Sequence, residues 1–234
     1  MNTTEEQLTS PQAPEHLDLT PYLPYFPYVP YSAILKSKEG KVLMDTKGNK
    51  KKAGYEYLLA YKITIPIYDY TVAFCKRYKD LLSSTRTFDQ MVQASRSGHT
   101  NIPEGNQQAS LEGYVKLTGV NLASLEELLK DYLAFARQNK IPLWGKEETV
   151  RNVRELGEVW EILRENPTLP DLPNFPYLPN SSEKAVNLLI TLVNQAIYLQ
   201  KRLKNSLEQK FIKEGGFREN LFRKRSEEKY KYRR

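Results

Sequence analysis

The sequence predicts an all-α fold: a four-helix bundle with a short extra helix, extended Pro/Tyr-rich straps and a small β-hairpin. Three observations carry this. Between residues 55 and 214, apolar residues recur mostly at intervals of three and four, which lines one face of a helix. Hydroxyl residues able to cap helices precede several of these stretches, and Gly215-Gly216 follows the last. Prolines at a three-residue period interrupt the pattern twice, where helices cannot continue. The chain divides into a Pro/Tyr-rich arm (1–34), a basic hairpin or loop (35–54), the bundle (55–214) with an insertion at 141–180, and a basic tail (215–234).

In the arm, PYLPYFPYVPYS sets prolines at 21, 24, 27 and 30 and tyrosines at 22, 25, 28 and 31. That is the polyproline II period, which aligns each residue type along one edge. A second strap, NPTLPDLPNFPYLPN, has prolines at 167, 170, 173, 176 and 179. Either strap suits an aromatic-lined groove on a partner. The simpler expectation is that Tyr25, Phe26, Tyr28, Phe175 and Tyr177 pack on the outside of the bundle or on a neighbouring subunit. After the arm, Ile34-Leu35-Lys36 and Lys41-Val42-Leu43-Met44 flank Glu39-Gly40, a hairpin pattern.

The first bundle helix is expected over 55–79, with Leu58, Tyr61, Ile65, Tyr68, Val72 and Cys75 as its stripe and a bend at Pro66. The second starts near Ser84 or Thr85 and turns Phe88, Met91, Val92 and Ser95 to one face. Asn101-Ile102-Pro103-Glu104-Gly105 should kink or break it, because proline lacks a backbone donor and disfavours helix at the residue before it. Asn101 and Glu104 would then serve the free backbone groups of that break, or a ligand. The third helix is expected over 110–139, burying Leu111, Val115, Leu122, Leu125, Leu129 and Tyr132. A shorter one over 146–164 displays Val150, Val153, Leu156, Trp160 and Leu163. The last long helix starts at Ser181 or Ser182 and carries Val186, Leu189, Val193, Ile197, Leu203 and Leu207 as a continuous seam. Gly215-Gly216 ends it, and a short basic helix bearing Phe217, Leu221 and Phe222 follows.

The net charge of +7 is unevenly distributed. Residues 201–234 hold thirteen Lys or Arg against five Glu, and residues 36–54 hold seven Lys against Glu39 and Asp45. The first 200 residues, which include that patch, sum to −1. Concentrated cations favour polyanions, with salt-dependent phosphate contacts; the plainer alternative is a solvated, solubilising tail. The candidate nucleic-acid contacts are Lys36, Lys38, Lys41, Lys50, Lys51, Lys52, Arg86, Arg96, Lys210, Lys213, Arg218, Arg223, Lys224 and Arg225, with Tyr230 and Tyr232 placed to stack on single-stranded bases. Arg86 and Arg96 suit a subunit interface or a basic channel.

Other chemistries lack their residues. Di-metal bundle sites need Glu-x-x-His on two helices, and His16 and His99 are the only histidines, in neither case within that motif. There is no G-x-x-x-x-G-K-[ST] or G-x-G-x-x-G phosphate loop, and Cys75 has no local base. The expectation is a non-enzymatic protein without cofactor or metal. Cys75, the single cysteine, forms no internal disulfide and suits a buried thiol. The opening MNTTEEQLTS lacks a signal peptide's basic and apolar parts, and no run of eighteen apolar residues occurs, so a soluble, cytoplasmic protein is expected.

Arg86, Ala94, Ser95, Asn101, Ile102, Glu104 and Gly105 match the pattern R-x-A-x-S-I-x-x-N-I-A-E-G. In this the chain resembles the four-helix-bundle family of proteins encoded in intervening sequences of large ribosomal RNA genes, which also includes the accessory variability determinant (Avd) of diversity-generating retroelements. Ala123-Ser124-Leu125-Glu126-Glu127-Leu128 fits the small-residue step and Leu-x-Glu of that family's third helix. Gly215-Gly216-Phe217-Arg218-Glu219 is similar to the C-terminal suffix of one subgroup. The resemblance covers 55–144 and 181–219; Pro103 and His99 depart from it. It implies ring-like homo-oligomers, commonly pentamers, with a basic surface for DNA or RNA and, for Avd, a reverse transcriptase as partner. The rival expectation is a protein-interaction scaffold with no nucleic-acid role.

Overall fold

The computed structural model describes residues 53–166, 168 and 174–231. A 3-10 turn at Gly54–Tyr57 leads into α1 (Leu59–Lys62) and α2 (Thr64–Arg77), and a second at Lys79–Leu81 precedes α3 (Thr85–Gln107). Then come α4 (Leu111–Gln138), α5 (Lys146–Asn152), α6 (Arg154–Glu165), α7 (Ser182–Glu214) and α8 (Phe217–Lys231). No strand occurs among the described residues, and the fold is an all-α helical bundle. Helices α2, α3, α4 and α7 form it, each touching the next and α7 closing onto α2. The first strap and almost all of the expected hairpin lie outside the described residues.

Three serines start the long helices as their sequence positions suggest. Ser84 Oγ accepts from the Thr87 amide at 3.1 Å, Ser110 Oγ from Gly113 at 3.1 Å and Ser181 Oγ from Lys184 at 3.4 Å. Each satisfies a backbone donor that the first helical turn cannot.

An aromatic group lies within the mainly aliphatic core. Phe74 meets the Tyr132 ring edge-on at 5.2 Å and the Phe135 ring at 4.9 Å, and all three are buried. The hydroxyl of Tyr132 donates to Thr71 Oγ1 at 2.8 Å, and Thr71 donates to the Ile67 carbonyl at 2.6 Å, so this buried polar chain is closed. A smaller cluster of Ala60, Ile102, Tyr114, Leu203 and Leu207 fills the other end.

Several sequence expectations need correction. One helix over 55–79 is instead a 3-10 turn and two helices that part at Ile63. Pro66 falls in the first turn of α2, where its missing donor has no intrahelical acceptor to lose, so it starts the helix rather than bending it. The buried stripe is Ile63, Ile67, Tyr70 and Phe74; of the six residues expected, only Cys75 is fully buried. In α4 the buried face includes Thr118 and Asn121, and Leu111, Val115, Leu122 and Leu129 are half-buried beside it. A stripe drawn through apolar residues alone misses those two. The single helix over 146–164 is two, parted at Val153, and Val150 is exposed.

The largest correction concerns α3, which runs unbroken through Pro103. An interior proline costs about 3 kcal/mol. Tertiary contact opposes that cost: Ile102 is fully buried, and Gly105 lies so close to α4 that a Cβ there would stand 2.4 Å from Tyr114 Cδ2. Burying a side chain such as Ile102 recovers about 1.5–3 kcal/mol.

Residues 174–179 of the second strap belong to neither helix nor strand and are tied to α2 and the residue after it. Tyr70 donates to the Pro176 carbonyl at 2.7 Å, Arg77 to the carbonyls of Leu178 and Pro179, and Tyr78 to that of Asn180 at 3.2 Å. Phe175 packs against the core as expected, whereas Tyr177 does not and is 95% exposed. Its neighbours Pro176 and Leu178 hold the backbone with Tyr177 on the outward side.

Lys62 is buried, and its Nζ donates to the carbonyls of Leu163 at 2.6 Å and Asn166 at 2.8 Å, capping the end of α6. Burial pushes its ammonium down to about 8 from 10.5. Between those values the unfolded chain binds a proton that the folded chain has released, so this group's contribution to stability rises with pH across that window. Comparing the urea midpoints of wild type and Lys62→Met at pH 7.5 and 9.5 should show wild type gaining on the variant at the higher pH. Gly105→Ala should lower stability by about 1–2 kcal/mol in urea denaturation, because the clash with Tyr114 outweighs the better helix propensity of alanine.

Candidate nucleic-acid interface

The end of α7 is set by Gly215, whose φ of +75° lies in the region that favours glycine. A Cβ there would also stand 2.6 Å from Glu219 Oε2. That carboxylate accepts from the Gly216 amide at 2.8 Å, and Asn220 Nδ2 donates to the Gly215 carbonyl at 3.3 Å. Gly-Gly-Phe-Arg-Glu is therefore a joint: two glycines permit the turn, and the glutamate ties the entry to α8.

No residue of α8 is buried. It carries six Lys or Arg against three Glu over 217–231. Arg218, Phe222, Arg225 and Lys229 are spaced by four, three and four, which stacks them on one helix face, and all four are exposed. From Arg218 to Lys229 the stripe runs about 16 Å along the axis. The carboxylates lie to either side of it: Glu219 is bound at the joint, and Glu228 pairs with Lys231 at 3.4 Å. Phe222 is 75% exposed within the stripe, while Phe217 and Leu221 lie about a quarter-turn or more away. Tyr230 is 71% exposed on another face, shared with Arg223, whose Nη2 donates to Asn220 Oδ1 at 2.7 Å.

Among the other candidates, Lys213 is exposed near the end of α7, and Lys224 is exposed on α8. Lys210 is a correction: it is 8% exposed, and its Nζ lies 3.6 Å from Glu214, so it does not present a free charge to solvent. Arg86 and Arg96 do not share one face of α3. Ten residues apart, they differ by nearly a quarter-turn, and Arg86 lines a groove of about 410 Å³ between α3 and α4 that also holds Asp89 and Glu127. Lys36, Lys38, Lys41, Lys50, Lys51, Lys52 and Tyr232 lie outside the described residues.

Of the remaining polar candidates, His99 and Asn101 are turned toward neighbouring helices. His99 is stacked between Tyr61 at 5.9 Å and Tyr68 at 6.0 Å, with a buried Nδ1 that meets no partner, and burial lowers its pKa. Asn101 faces inward with its Nδ2 unpartnered, which corrects its expected role at a helix break, whereas Glu104 is exposed. Cys75 is fully buried, its Sγ 4.0 Å from Met91 Sδ, and burial pushes the thiol up to about 12, far from a reactive thiolate. Among the described residues, no group of three His, Cys, Asp or Glu is arranged to hold a metal, and no helix is long and apolar enough to cross a membrane.

No protein-family profile, curated protein or solved structure matches this chain. The sequence carries a short basic helix bearing Phe217, Leu221 and Phe222, and the helix register then parts Phe222 from the other two and sets it among Arg218, Arg225 and Lys229. The His99 stack and the Lys62 cap join residues far apart in the chain, and no local signal marks them.

A fifteen-residue helix without packing is marginal in water, so α8 depends on its joint. Glu219→Ala should reduce helix content, read as far-UV ellipticity at 222 nm, while the cooperative unfolding of the bundle is unchanged. Gly215→Val should do the same through its positive φ.

Proposed function

We propose that this chain is a non-enzymatic nucleic-acid-binding accessory protein that acts as a homo-oligomer, with α8 as its phosphate-contacting element. The observation that carries this reading is the stripe of Arg218, Arg225 and Lys229, exposed on a helix that buries none of its residues. A helix with no packing role and a cationic face free of carboxylates suits a polyanion. The bundle over 55–214 is close to balanced in charge, with twenty Lys or Arg against nineteen Asp or Glu, which leaves attraction concentrated in the basic tail and in the 36–54 patch. Repetition in an oligomer multiplies such a field. No groove-reading motif accompanies the stripe, so backbone contacts without base specificity are the expected mode.

The resemblance at Asn101, Ile102, Glu104 and Gly105, and at the Gly215–Glu219 joint, supports an Avd-like role beside a reverse transcriptase, with a pentamer as the favoured assembly. A second reading, a protein-interaction scaffold, is favoured by Tyr177, by Ile212 at 72% exposure and by Phe217 at 53%.

The triple variant Arg218→Ala, Arg225→Ala, Lys229→Ala separates the two. On the first reading it weakens binding to DNA and RNA and flattens the slope of log affinity against log salt by about two units for single strands, nearly three for duplex. Titration of fluorescent oligonucleotides across a salt series measures both. An unchanged slope removes α8 from the interface, and no binding by wild type near physiological salt favours the scaffold.

A further inference from the structure

Resting on that reading, we infer that α8 engages single-stranded rather than duplex nucleic acid, with Phe222 as the base-stacking platform. Four exposed aliphatic or aromatic side chains surround the α7–α8 joint, and they do not form one patch. Ile212 belongs to α7; Phe217 and Leu221 share one side of α8, and Phe222 is turned about 100° from Leu221 into the basic stripe. There Arg218 stands one turn before it and Arg225 one turn after it. Phe222 is also more exposed, at 75%, than Phe217 at 53% or Leu221 at 45%.

A bare aromatic ring between two guanidinium groups has a specific use. Cations neutralise successive phosphates, and the ring offers an apolar face to whatever lies between them. In a duplex the base faces are covered by their neighbours, and a phenyl ring set among phosphate contacts meets only sugar edges or water. In a single strand the base faces are free, and stacking on an aromatic side chain is tolerant of sequence. Phenylalanine has no polar atom for reading a base edge, so stacking is the contact its chemistry allows. Arginine adds a planar group that can itself stack. Tyr230 lies on a different face and is not needed for this contact.

The test uses the full chain as wild type, Phe222→Ala and Phe222→Trp, titrated against a single-stranded oligothymidylate and a duplex of equal length. Phe222→Ala should weaken single-strand binding about ten- to a hundredfold and leave both the salt slope and duplex binding unchanged. Phe222→Trp should retain single-strand affinity, with quenching of the added tryptophan on binding. Duplex binding as tight as single-strand binding, or single-strand affinity indifferent to Phe222→Ala, overturns the inference while leaving a phosphate-binding role intact. A Phe222→Ala variant that changes elution volume without changing affinity places Phe222 between copies of the chain and overturns it too. Absence of binding to either oligonucleotide overturns the proposed function together with this inference.

Discussion

One apolar seam along α7 organises the molecule. Ala185, Val186, Leu188, Leu189, Leu192, Val193, Ala196 and Ile197 enter the main core, and Leu203 and Leu207 continue into the smaller cluster at the other end. A helix of thirty-three residues spans about 50 Å, long enough to pass through both. Polar residues on the same helix latch the connections that apolar burial cannot hold. Asn187 accepts from the Trp144 amide and donates to the Pro142 carbonyl, Glu183 accepts from the Trp144 indole, and Gln195 accepts from Trp160. Gln200 reaches the carbonyl of Ala60, tying the start of the bundle to the same spine. Removal of water from the seam supplies the drive, and these bonds select one arrangement of the loops.

The far end of α7 is built differently. Past Leu207 its buried positions dwindle to Lys210, and beyond the Gly215 joint no residue is buried. The joint matters because α8 has no packing to hold its direction. Glu219, by accepting from Gly216, links the turn to the first turn of the next helix, so the orientation of the cationic stripe depends on a few local hydrogen bonds. Core packing thus ends before the Gly215 joint, and the exposed stripe of α8 lies beyond it.

The bundle's own polar candidates illustrate why a loop-like motif can mislead. Asn101, Pro103 and Gly105 together resemble a helix break, yet Gly105 allows α3 to settle against the Tyr114 ring, and the helix continues. His99, which departs from the family pattern, lies between two tyrosine rings. In both places residues from another helix supply the environment, and no count along α3 contains them.

Fold class, the starts of α3, α4 and α7, the seam of α7 and the stop at Gly215 were legible in the amino-acid sequence alone. Each rests on interactions within about four residues, which a linear pattern records. The exposed basic helix was legible as well, because a segment that buries nothing has no tertiary partner to reveal. The tertiary structure alone decided the division of the first helix at Ile63, the passage of α3 through Pro103, the inward turn of Thr118 and Asn121, the burial of Lys62 and Lys210, and the exposure of Tyr177. These outcomes balance a local cost, from an interior proline, a buried amine or a polar side chain in a seam, against contacts with residues distant in the chain. Only the folded arrangement brings both sides of that balance together.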